Sequence, residues 1–120
     1  MKPQGIFDLP RIIRALRVSL AGIKIGVTQH TAFRQELLIG VILVPFAFIL
    51  GEDGLQQAVL IGILFVVLIV ELINSAIETV VDRIGIEFHE LSKRAKDLGS
   101  AAVFIALVSV PIVWGLVIFG

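Results

Sequence analysis

The sequence predicts an all-α membrane protein: an N-terminal amphipathic surface helix followed by three transmembrane helices. Hydrophobic residues make up 58% of the 120-residue chain and the mean hydropathy is +1.04, far too apolar for a soluble domain of ordinary composition. The apolar residues gather in long runs separated by short polar segments, and the ten Lys and Arg residues lie either before or at the start of the first run, as far as Arg34, or between Arg83 and Lys96. That asymmetry puts the N-terminus and the second loop on the cytoplasmic side, with Glu52-Asp53 and Gly120 outside. A formal net charge of zero, and no basic tract with interleaved aromatics, give no sign of nucleic-acid binding. The absence of cysteine excludes disulfides, a thiolate nucleophile and Cys-ligated metal. The start, M-K-P-Q-G, lacks the apolar core and cleavage site of a removable signal peptide.

The surface helix is expected over residues 6–27. Leu9, Ile12, Ile13, Leu16, Leu20, Ile23 and Val27 share one arc at helical period, whereas Arg11, Arg14, Arg17 and Lys24 lie outside it. A basic face beside an apolar stripe suits a membrane surface, with the cations near lipid phosphates. A polar hinge, T-Q-H-T-A-F-R-Q-E, then covers Thr28 to Glu36. The uncharged run Leu37–Gly51 has fifteen residues. At 1.5 Å per residue it reaches only about 22 Å, so the first span, 32–51, borrows hinge residues to cross ~30 Å of hydrocarbon. Pro45 lies mid-span, where neighbours must satisfy the carbonyl it frees. Glu52-Asp53-Gly54 is a short turn; the second span is expected over 55–82 and the third over 98–120.

The functional signal lies in the second span and the loop after it, Glu71 to Asp97. At about 100° per residue, Glu71, Asn74, Ser75, Glu78 and Asp82 fall within one arc of roughly 100°. Ionised groups at membrane depth cost about 2.5–3.5 kcal/mol each even on the lenient insertion scale, so such a row requires cations or water opposite it. A solvated helix end also accounts for Asp82 and Arg83, but Glu71 and Asn74 are flanked by Ile, Leu and Val and fit it poorly. Counting 1.5 Å per residue from Gly54, Glu71 sits about 25 Å inward, where the cytoplasmic headgroups begin, and Glu78 roughly 10 Å further toward water. A carboxylate at headgroup depth suits a general base for a lipid hydroxyl. Glu78 is better placed for a hydrated Mg2+ on nucleotide phosphates, and Lys96 is a mobile cation for those phosphates. Base, metal carboxylate and cation are the parts a phosphoryl transfer requires.

The segments E-L-I-N-S-A-I-E-T-V-V-D-R-I-G and E-F-H-E-L-S-K-R-A-K-D-L-G-S-A-A-V, with R-I-I-R-A and A-F-R-Q-E upstream, resemble the small prokaryotic diacylglycerol kinases. The resemblance covers most of the chain and implies an ATP:diacylglycerol phosphotransferase of the bacterial inner membrane, a homotrimer with active sites shared between subunits. It implies Glu71 as catalytic base and Glu78 as ligand of the Mg2+ that accompanies ATP. Arg11, Glu87, Phe88, His89, Lys96 and Asp97 match nucleotide contacts, and Asn74 and Asp82 match supporting positions. The lipid is expected along Ala15 to Leu20, including Ser19, along Ala32, Phe33, Arg34, Gln35 and Glu36, and at Ser100. Gly99, Ala102 and Ala106 form a small-residue stripe for close helix approach.

The sequence departs from the family pattern at three positions. His30 stands where the family has a glutamate sharing the metal with Glu78, and imidazole suits Zn2+ or Mn2+ better than Mg2+. Val18, at a nucleotide position, replaces an aromatic surface for the adenine, and Lys93 replaces a small residue. No G-x-x-x-x-G-K-[ST] sequence occurs, so nucleotide binding is not of the P-loop kind. Two other readings remain: a related undecaprenol kinase with the same chemistry on a polyprenol, and a small channel or transporter subunit whose acidic row conducts ions.

Overall fold

The computed structural model describes residues 5–85 and 87–120. Four α-helices follow one another among these residues: α1 (Leu9–Gln29), α2 (Thr31–Leu50), α3 (Gly54–Ile84) and α4 (Glu90–Phe119). The last three are each long and apolar enough to cross a membrane. α3 is central, packed by α2 and α4, while α1 contacts α2.

Local chemistry sets the helix ends. α1 begins at Leu9 rather than residue 6 because the Asp8 carboxylate caps it, accepting a hydrogen bond from the Arg11 amide at 3.1 Å, and a proline lies in its first turn. The segment expected as a polar hinge from Thr28 to Glu36 is helical except at His30, whose extended backbone (φ −121°, ψ 104°) separates α1 from α2. The His30 amide still donates to the Gly26 carbonyl, and the His30 carbonyl accepts from the Arg34 amide, both at 3.1 Å. The elbow is therefore one residue wide. Gly26 makes it possible: a Cβ there would lie 2.9 Å from Phe33 Cδ1 and 3.1 Å from Leu72 Cδ2.

At the other end, Asp53 caps α3 by accepting from the Gln56 amide at 2.9 Å, and Gln56 Oε1 accepts from the Glu52 amide at 2.9 Å. α4 begins at Glu90, well ahead of the apolar run that starts at Leu98. His89 Nδ1 accepts from the Leu91 amide at 3.0 Å, and the polar stretch after it continues the helix. At 1.5 Å per residue, the 31 residues of α3 and 30 of α4 reach about 45 Å. Both exceed the ~30 Å of hydrocarbon, so polar turns extend beyond it.

The buried stripe of α3 runs Leu60, Leu64, Val67, Glu71, Asn74, a spacing of four, three, four and three that keeps one face inward. The polar row is thus the continuation of the apolar core stripe along the same face. α4 runs antiparallel beside it. The Trp114 indole donates to the Leu60 carbonyl at 3.1 Å, Gly99 meets Asn74, and Lys96 pairs with Asp82. Most large apolar side chains, including those of α1 from Leu9 to Ile25, remain exposed on the single chain, as faces for lipid or other subunits would be.

Candidate active site

Three polar residues of α3 are buried within one chain: Glu71 at 4% exposure, Asn74 at 7% and Ser75 at 7%. One chain by itself thus covers the membrane-depth part of the polar arc. α2 supplies the Glu36 carboxyl within hydrogen-bonding reach of the Glu71 carboxyl. Farther along the arc Glu78 is half-buried and Asp82 exposed, so the site opens toward the end where α3 stops.

Among the described residues, Glu36 Oε2, Glu71 Oε2 and Asn74 Oδ1 are buried without a hydrogen-bond partner. A buried oxygen left without a donor, as Asn74 Oδ1 is, costs about 1–3 kcal/mol, and among the described residues Glu36 and Glu71 have only each other's carboxyl within reach. A cluster of such oxygens at one level of the helix marks a place where a ligand's polar group would be stabilising. The Asn74 amide donates to Glu78 Oε1 at 3.3 Å and so ties the buried acid level to the more open one.

Five of the nucleotide candidates fall together. Glu87, Phe88, His89, Lys96 and Asp97 line one open cavity of about 500 Å³ with the supporting residue Asp82, and Lys93 also borders it. Lys96 Nζ lies 2.8 Å from Asp82 Oδ1, and Lys93 Nζ 2.6 Å from Asp97 Oδ2. Arg11 and Val18 stand on the exposed face of α1.

A second cavity, about 470 Å³, lies between α1, the elbow and α3, lined among others by Ser19, Gly22, His30, Ser75 and Thr79. This places the expected lipid residue Ser19 opposite α3. Its hydroxyl donates to the Ala15 carbonyl at 2.8 Å. The other expected lipid contacts divide. Ala15, Ala32, Gln35 and Ser100 are exposed, but Phe33, at 2%, fills the elbow against Gly26. Arg34 is fastened to the elbow, donating to the Val27 carbonyl at 3.2 Å and to Thr31 Oγ1 at 3.4 Å. Glu36 turns inward to Glu71 and also borders a narrow apolar groove of about 170 Å³ at membrane depth.

His30 faces Ser75 and Thr79 across its cavity, on the flank beside the Glu71–Glu78 line. Among the described residues no group of three or more His, Asp or Glu side chains is arranged to hold a metal ion. The half-buried Glu78 carboxylate, steadied by Asn74, fits the demand of Mg2+, which is commonly held by one or two carboxylates plus substrate phosphates and water.

Three cross-helix relations escape sequence reasoning: the approach of Glu36 to Glu71, the fit of Asn74 against Gly99, and the pairing of Lys96 with Asp82. Helical period places each residue on its own face and says nothing of which turn it meets on the next helix.

The family model for prokaryotic diacylglycerol kinase matches residues 17–118. The chain is similar to the diacylglycerol kinase of Haemophilus influenzae, 50% identical over 92% of this chain and 94% of that protein. It is also similar to that of Pseudomonas aeruginosa, 44% identical over 98% and 95%, and to that of Escherichia coli K12, 48% identical over 87% and 85%.

Proposed function

The chain belongs to the prokaryotic diacylglycerol kinase family, and we propose that it transfers the γ-phosphoryl group of ATP to diacylglycerol at the cytoplasmic face of the inner membrane, as a homotrimer. It is a multi-pass membrane lipid kinase. The observation that carries the site assignment is the buried Glu71 carboxylate with an unpartnered oxygen, in line with Asn74 and Glu78 on the face of α3.

In this reading the lipid's primary hydroxyl enters at headgroup depth and Glu71 takes its proton as the hydroxyl oxygen bonds to the γ-phosphorus. The bond between that phosphorus and the bridging oxygen breaks, and ADP leaves with the electron pair. Glu36, beside Glu71, keeps a second carboxyl within reach of that proton. Glu78, with His30 of its own or a neighbouring chain, would hold the Mg2+, whose chemistry when bound is to neutralise phosphate charge. Lys96 binds the phosphates, and Arg11 and the Glu87–His89 segment contact the nucleotide. Asp82 holds Lys96 over the cavity. Burial of the reacting level excludes water, which would otherwise compete with the lipid hydroxyl. The exposed apolar faces of α1, α2 and α4 support a trimer in which neighbouring chains cover them.

The test is purified protein in mixed micelles with ATP and Mg2+, offered diacylglycerol and undecaprenol in competition. Label entering diacylglycerol is the expected result. Label entering undecaprenol alone reassigns the substrate, and label in neither lipid overturns the kinase reading.

A further inference from the structure

A close fit between α3 and α4 lies beside the proposed metal carboxylate. Gly99 of α4 is buried, and a Cβ built on it would collide with Asn74 Oδ1 and lie 3.2 Å from Asn74 Cγ. The next neighbour, Ile77 Cδ1, is at an ordinary 3.8 Å. The space left by the missing side chain of Gly99 is therefore occupied by the tip of Asn74 and by nothing else that would obstruct a methyl group. With Oδ1 held against Gly99, the Asn74 Nδ2 is turned to Glu78, donating to Oε1 at 3.3 Å.

Chemistry explains the direction of the amide. The Cβ direction is that of one Gly99 Cα–H bond, which points at Oδ1, and Cα–H···O contacts of this kind recur where helices approach closely. Oδ1 has no conventional donor. Turning the amide over would place the NH2 against Gly99 and the oxygen against the Glu78 carboxylate, exchanging an attraction for a repulsion.

We propose that Gly99 is a positioning residue for the metal carboxylate: its missing side chain seats the Asn74 carbonyl, and the seated amide orients Glu78. The proposal rests on the assignment of Glu78 to the metal. A side chain at residue 99 then acts at a distance. Asn74 is the flexible end of the clash, so the Asn74 amide rotates away, Glu78 loses its donor, and metal affinity falls while the helices stay packed.

The experiment measures Mn2+ binding, in the presence of a non-hydrolysable ATP analogue, by electron paramagnetic resonance on the detergent-solubilised full chain. Wild type, Glu78→Gln, Gly99→Ala, Asn74→Ala and the Gly99→Ala/Asn74→Ala double variant are compared, with thermal melting in parallel. Gly99→Ala and Asn74→Ala are each expected to weaken Mn2+ about 10-fold, the lower range for removing a partner of a metal ligand. The double variant is expected to be no weaker than Asn74→Ala, because no amide remains to be displaced.

Additive losses in the double variant, or wild-type Mn2+ affinity in Gly99→Ala with Glu78→Gln impaired, overturn the proposal and leave the metal assignment standing. Wild-type affinity in Glu78→Gln overturns both. If Gly99→Ala does not assemble, assembly restored by Asn74→Ala supports the proposal, and failure in both backgrounds overturns it.

Discussion

Lys96 of α4 reaches across to Asp82 of α3, Nζ to Oδ1 at 2.8 Å, where both helices extend beyond the apolar runs. The Lys96 and Asp82 side chains are 46% and 63% exposed, so the pair is screened by solvent and contributes little to stability. Arg83 is adjacent to Asp82 in the chain, but the cation paired with Asp82 is Lys96, fourteen residues on. Asp82→Asn is accordingly expected to leave melting and assembly near wild type and to raise the KM for ATP several-fold, as Lys96 loses its place over the cavity. Melting curves and ATP titrations check this, and a large drop in melting temperature with unchanged KM would contradict it.

Glu71→Gln keeps the shape of the side chain and its packing beside Glu36 while removing the proton acceptor. Turnover should fall at least ~100-fold, the lower range for a general base, with nucleotide binding retained. Wild-type kcat in this variant would remove Glu71 from the chemistry.

Glu36→Gln tests whether the carboxyl beside Glu71 serves the reaction or only touches lipid. A partner of the base should alter kcat by ~10-fold, below the range for losing the base itself, and leave the KM for ATP unchanged. A change confined to the KM for diacylglycerol would return Glu36 to lipid binding alone.

The elbow distinguishes two glycines of one helix. At Gly22 a Cβ meets nothing within 4 Å, so Gly22→Ala should stabilise by up to ~1 kcal/mol through helix propensity. Gly26→Leu, driven into Phe33 and Leu72, should cost about 1–3 kcal/mol. Equilibrium unfolding in mixed micelles measures both, and equal effects would show that the close approach at Gly26 is unimportant.

His30→Glu restores an anionic oxygen where this chain has imidazole. It should lower the Mg2+ concentration for half activity and reduce the preference for Mn2+. Overlapping Mg2+ and Mn2+ curves for wild type and variant would eliminate His30 as a ligand and leave Glu78 with phosphate and water.

Periodicity and charge made the architecture legible from the chain alone. Apolar runs of sufficient length had to become helices in lipid, because only internal hydrogen bonding satisfies the backbone there. The i, i+3, i+4 and i+7 spacing of Glu71, Asn74, Ser75 and Glu78 by itself puts them on one side of α3. Tertiary structure decided what that side faces. Rotation about a helix axis follows from its own sequence, but the register between helices depends on which small residue admits which neighbour. Gly26 lets the elbow close at a single residue, and Gly99 admits Asn74. The same packing brings Glu36 of α2 to Glu71 and Lys96 of α4 to Asp82. None of these pairs shares a helix, so no periodic pattern within one segment encodes them; they arise from side-chain shape where two helices meet.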